Sequence, residues 1–255
     1  VSRPELAPDE VMLQIERVGI CGSDMEYFRH FACGAFVPRE PLVLGHEFVG
    51  VVVEHGSDVG EPPLGTRVAV EPSIPCFHCD YCREGRYNLC RNMRFFGSAS
   101  VYPHMDGGFR DLVQAPASSL IVLPDTLSTR QGALLEPLAV AVHAVRRAAP
   151  IDGREILVTG GGSIGQLVAM VLQAFGAAKV VVSDPMVERR ELALSLAADN
   201  VLNPLTDDFN AYAASLRRGG FDTVFEASGQ PAAIRQGLET IRKGGTFCQL
   251  GTVDG

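Results

Sequence analysis

The chain has 255 residues, room for one large domain or two ordinary ones, and its 46% apolar and 20% charged residues are an ordinary globular balance. A net charge of −8 argues against a nucleic-acid partner, which calls for a basic face. It says nothing against a small anionic substrate, because one local arginine outweighs a diffuse negative field.

No apolar run approaches the roughly 20 residues that span a bilayer, and no signal-peptide pattern opens the chain, so a cytoplasmic protein free of membrane is expected. Residue 1 is Val, and Gly255 follows directly on a strand-like run. A piece of a longer chain, cut at both ends, is the reading. Of seven cysteines, four crowd between Cys76 and Cys90, which in such a protein points to metal rather than disulfides.

In chain order, the first half alternates short β-type runs with Gly and Pro punctuation: VMLQIERVGI, FVGVVVEHG, RVAVEP, FRDLVQAP and LIVLP. Such spacing predicts a small, partly closed β structure. From Thr129 to Ala149 helix formers dominate, with apolar residues on most faces, and one buried helix bridging the two halves is predicted. After Pro150 the rhythm changes. REILVTG, KVVVSD, NVLN, DTVFEAS and GTFCQLG read as strands separated by helical segments, a βαβ pattern and so a parallel sheet. About five strands are visible where a complete dinucleotide-binding sheet has six, so an α/β fold incomplete at its C-terminus is expected.

Cys76, Cys79, Cys82 and Cys90 stand as C-x2-C-x2-C-x7-C. Short spacings let such a loop fold back and present four thiolates at tetrahedral corners, a closed structural zinc site. A second, open metal site needs three protein ligands and one free position. Cys21 in GICGSD, His46 in LGHEFVG and one of two glutamates, the adjacent Glu47 or Glu136 in LLEPLAV, satisfy that count. A carboxylate amid apolar residues, as at Glu136, needs a cation or a proton.

Gly160, Gly162 and Gly165 form G-x-G-x-x-G after the strand EILVT and at the start of a helix. The first allows a tight turn, the second a close approach of pyrophosphate, the third close helix–strand packing. Asp184 closes the next strand, where an acid receives ribose hydroxyls and repels a 2′-phosphate. NAD is favoured, and Arg189 nearby leaves room for NADP.

GICGSD, LGHE, the four-cysteine loop, LLEPLAVAVHA and TGGGSIG, in this order, resemble the zinc-containing medium-chain dehydrogenases over essentially the whole chain. The glutamate of EPLA is similar to the polyol branch, and CRNMRFFGSASVYPHMDGGFRDLV is most like its L-idonate 5-dehydrogenases. The resemblance implies a GroES-like zinc and substrate domain (1–126) followed by a partial Rossmann domain (127–255), acting as a homodimer or homotetramer. It implies that Cys21, His46 and Glu136 hold a catalytic zinc, with Glu47 a ligand or a close neighbour of one. Ser23 matches the hydroxyl that relays the alcohol proton, and Tyr27 a substrate-contacting tyrosine. Ile164, Asp184 and Arg189 match NAD contacts, and Leu250, Gly251 and Thr252 a segment near the nicotinamide. Glu26 stands where the family usually has His, which puts the outer proton path in doubt.

The expected reaction is hydride transfer from a secondary alcohol of a sugar acid, L-idonate to 5-ketogluconate, to NAD(P). An acid substrate needs a cation for its carboxylate; Arg94 is the candidate, with Arg29 and Arg39 competing. The rivals are a sorbitol- or xylitol-type polyol dehydrogenase, a zinc-stabilised NAD sensor without chemistry, and a zinc-free quinone reductase.

Overall fold

The computed structural model describes residues 5–253. The chain divides into two compact units, the first ending at Glu136 and the second beginning at Pro137.

The first unit runs β1 (Glu10–Val18), α1 (Gly22–His30), β2 (Phe48–His55), β3 (Arg67–Val70), β4 (Ser73–Ile74), α2 (Asp80–Arg83), β5 (Arg94–Phe95), β6 (Leu112–Pro116), β7 (Leu120–Val122) and α3 (Thr129–Gly132). Its main sheet has the order β6-β1-β2-β3-β7, every pair antiparallel. β4 and β5 form a separate two-stranded ribbon. Val11, Leu13, Phe48, Val52, Val68, Phe96 and Val113 are buried together against one another. The rings of Phe48 and Phe96 meet edge-on at 5.3 Å, the arrangement aromatic quadrupoles favour.

One helix was expected from Thr129 to Ala149, and two are found, α3 and then α4 (Leu135–Arg147). Ser128 caps α3, its side chain accepting the Gln131 backbone N–H while the Gln131 side-chain oxygen accepts the Ser128 backbone N–H. Pro137 explains the break. It has no N–H to give the carbonyl of Ala133, and its ring would clash there, so the chain must restart at a first turn where proline is tolerated.

The second unit contains most of α4, then β8 (Glu155–Thr159), α5 (Ser163–Ala174), β9 (Lys179–Ser183), α6 (Val187–Leu196), β10 (Asn200–Leu202), α7 (Phe209–Ala214), β11 (Phe221–Glu226), α8 (Pro231–Thr240) and β12 (Ile241–Gln249). Its sheet is parallel throughout, in the order β10-β9-β8-β11-β12, the expected dinucleotide-binding arrangement. Side chains alternate across it. Ile156, Val158, Val180 and Val182 join one core with Val168 and Leu172 of α5, while Leu157, Val181 and Val224 join another with Phe209. Both faces are therefore covered, which is why these strands read as unbroken apolar runs. Fully burying each such side chain contributes about 1.5–3 kcal/mol.

Candidate functional site

In the first unit Cys21 is the residue before α1, and Gly45–His46–Glu47 lead into β2. These two turns meet. The ligand atoms of Cys21, His46 and Glu47 lie within 4.8 Å of one another, a thiol, an imidazole and a carboxylate that are all at least half-buried. Asp24, in the first turn of α1, fastens them. One carboxylate oxygen accepts the Cys21 N–H at 2.9 Å; the other accepts the Gly45 N–H at 3.1 Å and lies 3.9 Å from Nδ1 of His46. The His46 ring also packs on Phe95 at 5.4 Å.

Gly19 provides the space for Glu47: a Cβ there would come within 2.1 Å of the Glu47 carboxylate. Its own N–H donates to the Glu47 carbonyl at 2.7 Å.

Burial pushes the Cys21 thiol and the Glu47 carboxyl above their ordinary values, with Asp24 adding to both. Glu136, half-buried in the first turn of α4, stands outside the three-ligand group but close enough that His46, Glu47 and Glu71 act on its charge. Burial first, then Glu47 and Glu71, raise its carboxyl to about 7 against the pull of His46. Acids crowded in this way fit a cation: the donor set matches a zinc centre with one position left for substrate.

Ser23, on α1, lies close enough to the Cys21 sulfur to oppose the upward shift of its thiol. Tyr27 is buried, and its hydroxyl accepts the Ala99 N–H at 3.1 Å, so its polar end is tied to the backbone. Arg94 and Arg29 are exposed. Arg39 is exposed too, its guanidinium 5.6 Å from the centre of the Tyr102 ring. Glu26 lies 3.8 Å from His30.

The sulfurs of Cys76, Cys79, Cys82 and Cys90 also fall within 4.8 Å of one another. Cys76 and Asn92 donate backbone N–H groups to the Cys90 sulfur at 3.2 and 3.4 Å, and Phe77 takes a left-handed backbone (φ 57°) in the turn between the first two cysteines. The His78 N–H holds the Cys76 thiol down to about 6. Arg91 grips Asp80 of α2 with two bonds of 2.8 and 2.6 Å, closing the loop from outside. Four thiols with backbone donors fit a closed zinc site.

In the second unit Gly160 (φ 92°) turns the chain out of β8, and Gly162 precedes α5 with open space beside it. A Cβ on Gly165 would sit 1.8 Å from the Gly160 carbonyl, so only glycine lets helix and turn touch. Asp184 is buried; it accepts the Gly161 and Met186 N–H groups at 2.9 and 2.8 Å and pairs with Arg189 at 3.3 Å. Gly160, Gly162, Asp184 and Arg189 line a depression of about 460 Å³ with Thr159, Ser228 and Leu205. Ile164 and Leu250 pack against the core beneath, while Gly251 is half-buried and Thr252 exposed beyond β12. The free amides of the α5 N-terminus suit a phosphate anion.

Two metal-ligand sets and a dinucleotide loop define a zinc- and nicotinamide-dependent oxidoreductase. Residues 7–125 match the alcohol dehydrogenase GroES-like domain, and residues 163–255 the zinc-binding dehydrogenase domain. The chain is 40% identical over 240 residues to L-idonate 5-dehydrogenase (NAD(P)(+)) of Escherichia coli K12, covering 94% of this chain and 69% of that protein. It is also 40% identical over 254 residues to the D-xylulose reductase A assigned in Neosartorya fischeri, covering 97% and 70%. The crystal structure of the Escherichia coli L-idonate 5-dehydrogenase superposes with a TM-score of 0.91 at 38% identity, over 97% of this chain and 70% of that one. The chain belongs to the zinc-containing medium-chain dehydrogenases, in their polyol and sugar-acid branch, a family that uses zinc and NAD(P). Among the described residues no helix is long and apolar enough to cross a membrane.

No sequence motif assigns a role to Asp24, Gly19 or Glu226. Asp24 carried a signal: an acid three residues after a cysteine at a helix start is a capping pattern.

Proposed function

We propose that the chain oxidises a secondary alcohol of a sugar acid, L-idonate to 5-ketogluconate, with reduction of NAD(P). The observation that carries the chemistry is the convergence of Cys21, His46 and Glu47, three unlike ligands backed by the half-buried Glu136. The similarity to L-idonate 5-dehydrogenase supports the substrate. When bound, zinc supplies a Lewis acid that makes a hydroxyl more acidic, and the nicotinamide supplies a hydride acceptor.

The chain's residues do the rest. Cys21, His46 and Glu136 hold the metal, with Glu47 a fourth ligand or the neighbour that orients them. Asp24 orients His46 and fixes the Cys21 turn. Ser23, beside Cys21, takes the alcohol proton outward, and Glu26 or solvent receives it. Tyr27 shapes the substrate side. Arg94, or Arg39 or Arg29 in its place, meets the carboxylate. Gly160, Gly162 and Gly165 admit the pyrophosphate, Ile164 and Leu250–Thr252 flank the cofactor, and Asp184 receives the ribose. Cys76, Cys79, Cys82 and Cys90 take the structural zinc. Residues 1–126 form the zinc and substrate domain and 127–255 the dinucleotide domain of a homodimer or homotetramer.

Cys21→Ser tests the scheme: it removes the catalytic zinc and activity and leaves NAD affinity nearly intact. Retained activity in that variant overturns it. The equal identity to D-xylulose reductase A supports a second reading, a neutral polyol as substrate.

A further inference from the structure

Glu226 ends β11 with its side chain wholly buried, and among the described residues no cation pairs with it. A lone buried carboxylate is costly unless donors satisfy it. Here the donors come from three separate segments. One oxygen accepts the Ser228 N–H at 2.8 Å, the Ser228 hydroxyl, the Gly229 N–H at 3.0 Å and the Thr159 hydroxyl at 3.4 Å. The other shares the Gly229 N–H at 3.1 Å and accepts the Gln249 side-chain amide, whose second hydrogen bond goes to the Gly251 carbonyl at 2.8 Å. The Glu226 backbone carbonyl accepts the Leu250 and Gly251 N–H groups at 2.7 and 2.9 Å.

The three segments are packed without slack. A Cβ on Gly160 would lie 2.9 Å from the Ser228 nitrogen, and one on Gly251 would lie 2.2 Å from the Gly229 nitrogen and 2.7 Å from the Glu226 carboxylate. Gly229 takes a left-handed backbone (φ 69°), and a Cβ there would lie 2.1 Å from the Thr252 carbonyl. Thr159, Gly160 and Ser228 line the cofactor depression, whereas Glu226 lies beneath it.

We propose that Glu226 is a positioning residue: its carboxylate locks the Thr159–Gly160 turn, the Ser228–Gly229 turn and the Gln249–Thr252 segment into one rigid seat for the dinucleotide. The inference rests on the dinucleotide-binding reading of the second unit. The charge state matters as well as the shape. Glutamine in its place still accepts from Ser228 but turns an N–H2 group toward the Gln249 amide, donor against donor. The Gln249 side chain loses its anchor, so the Gln249–Thr252 segment is held by its backbone bonds to Glu226 alone, while the pyrophosphate turn keeps its own bond to Asp184.

The test compares NADH with ADP-ribose, which lacks the nicotinamide, by equilibrium titration of the full chain and its Glu226→Gln variant. The expected result is a rise of about tenfold in the NADH Kd, the scale of one lost hydrogen bond to a charged group, with ADP-ribose within about twofold. Gln249→Met, which leaves the carboxylate and its other donors in place, moves the ratio the same way by a smaller factor. Unchanged affinities for both ligands, or equal weakening of both alongside a lowered Tm, overturns the proposal and leaves Glu226 a fold-stabilising residue. A wild-type chain that binds neither ligand overturns the dinucleotide reading itself.

Discussion

Asp24 and His46 share one buried corner: a carboxylate oxygen of Asp24 lies 3.9 Å from Nδ1 of His46, and its other oxygen accepts the Cys21 N–H. One acid thus holds both turns that carry the convergent ligands. Groups that orient metal ligands from behind usually govern metal affinity by about 10–100-fold. Asp24→Asn is expected to weaken the catalytic zinc by that factor and leave the four-cysteine zinc alone. Competition with a chromophoric chelator measures it, and an unchanged affinity at the Cys21–His46 site contradicts the role.

Gly19→Ala probes Glu47 without touching it. The added Cβ would fall 2.1 Å from the carboxylate and 3.0 Å from the Glu47 Cβ, so the side chain has to leave its place. If Glu47 serves the metal, bound zinc falls by about one per chain or becomes readily chelated, with the fold retained in circular dichroism. Full zinc retention assigns the metal to Cys21, His46 and Glu136 without help from Glu47.

In the proposed function Arg189 and Asp184 are expected to set the coenzyme preference together. With Arg189 3.3 Å away, the acid's repulsion of a 2′-phosphate is partly cancelled. Arg189→Ala is expected to raise the KM for NADP about tenfold more than that for NAD, a differential of about 1.4 kcal/mol. Steady-state kinetics with both coenzymes decide it; equal changes in the two count against the pairing.

Asp222 makes the second unit sensitive to acid. Burial opposes its charge, but the Glu155 N–H and the Arg242 and Arg218 guanidiniums, the latter two at 2.6 and 3.1 Å, hold its carboxyl below the ordinary value. A carboxyl lowered in the folded state contributes stability above its unfolded pKa, and that contribution is lost as pH falls through the folded one. Asp222→Asn should therefore cost about 1–3 kcal/mol near neutral pH. The gap to wild type should begin to close below the ordinary value of 3.8. Urea titrations at pH 7 and pH 3 check this, and a gap that does not narrow contradicts it.

The four cysteines and the glycine loop were legible because their chemistry is local: the spacing itself builds the turn that presents the ligands. The parallel sheet was legible in its unbroken apolar runs, since both faces are covered. The break between α3 and α4 was written in Pro137, yet the apolar content around it suggested one continuous helix. Asp24, Glu226 and Asp222 were not legible as partners. Each satisfies its charge with groups from distant segments, the Gly45 N–H, the Gln249 amide and Arg242 in turn, and no periodicity or spacing records such a meeting. Tyr27 shows the converse: a motif position named its residue, but the hydroxyl's bond to Ala99 depends on a loop more than seventy residues away.

The most direct test of the central claim is reduced-nicotinamide formation by the protein across L-idonate, gluconate, sorbitol, xylitol and threonine, with NAD and with NADP. Turnover led by L-idonate, and abolished in Cys21→Ser, is the predicted result. Turnover led by a neutral polyol, or none at all from protein carrying both zincs, contradicts it.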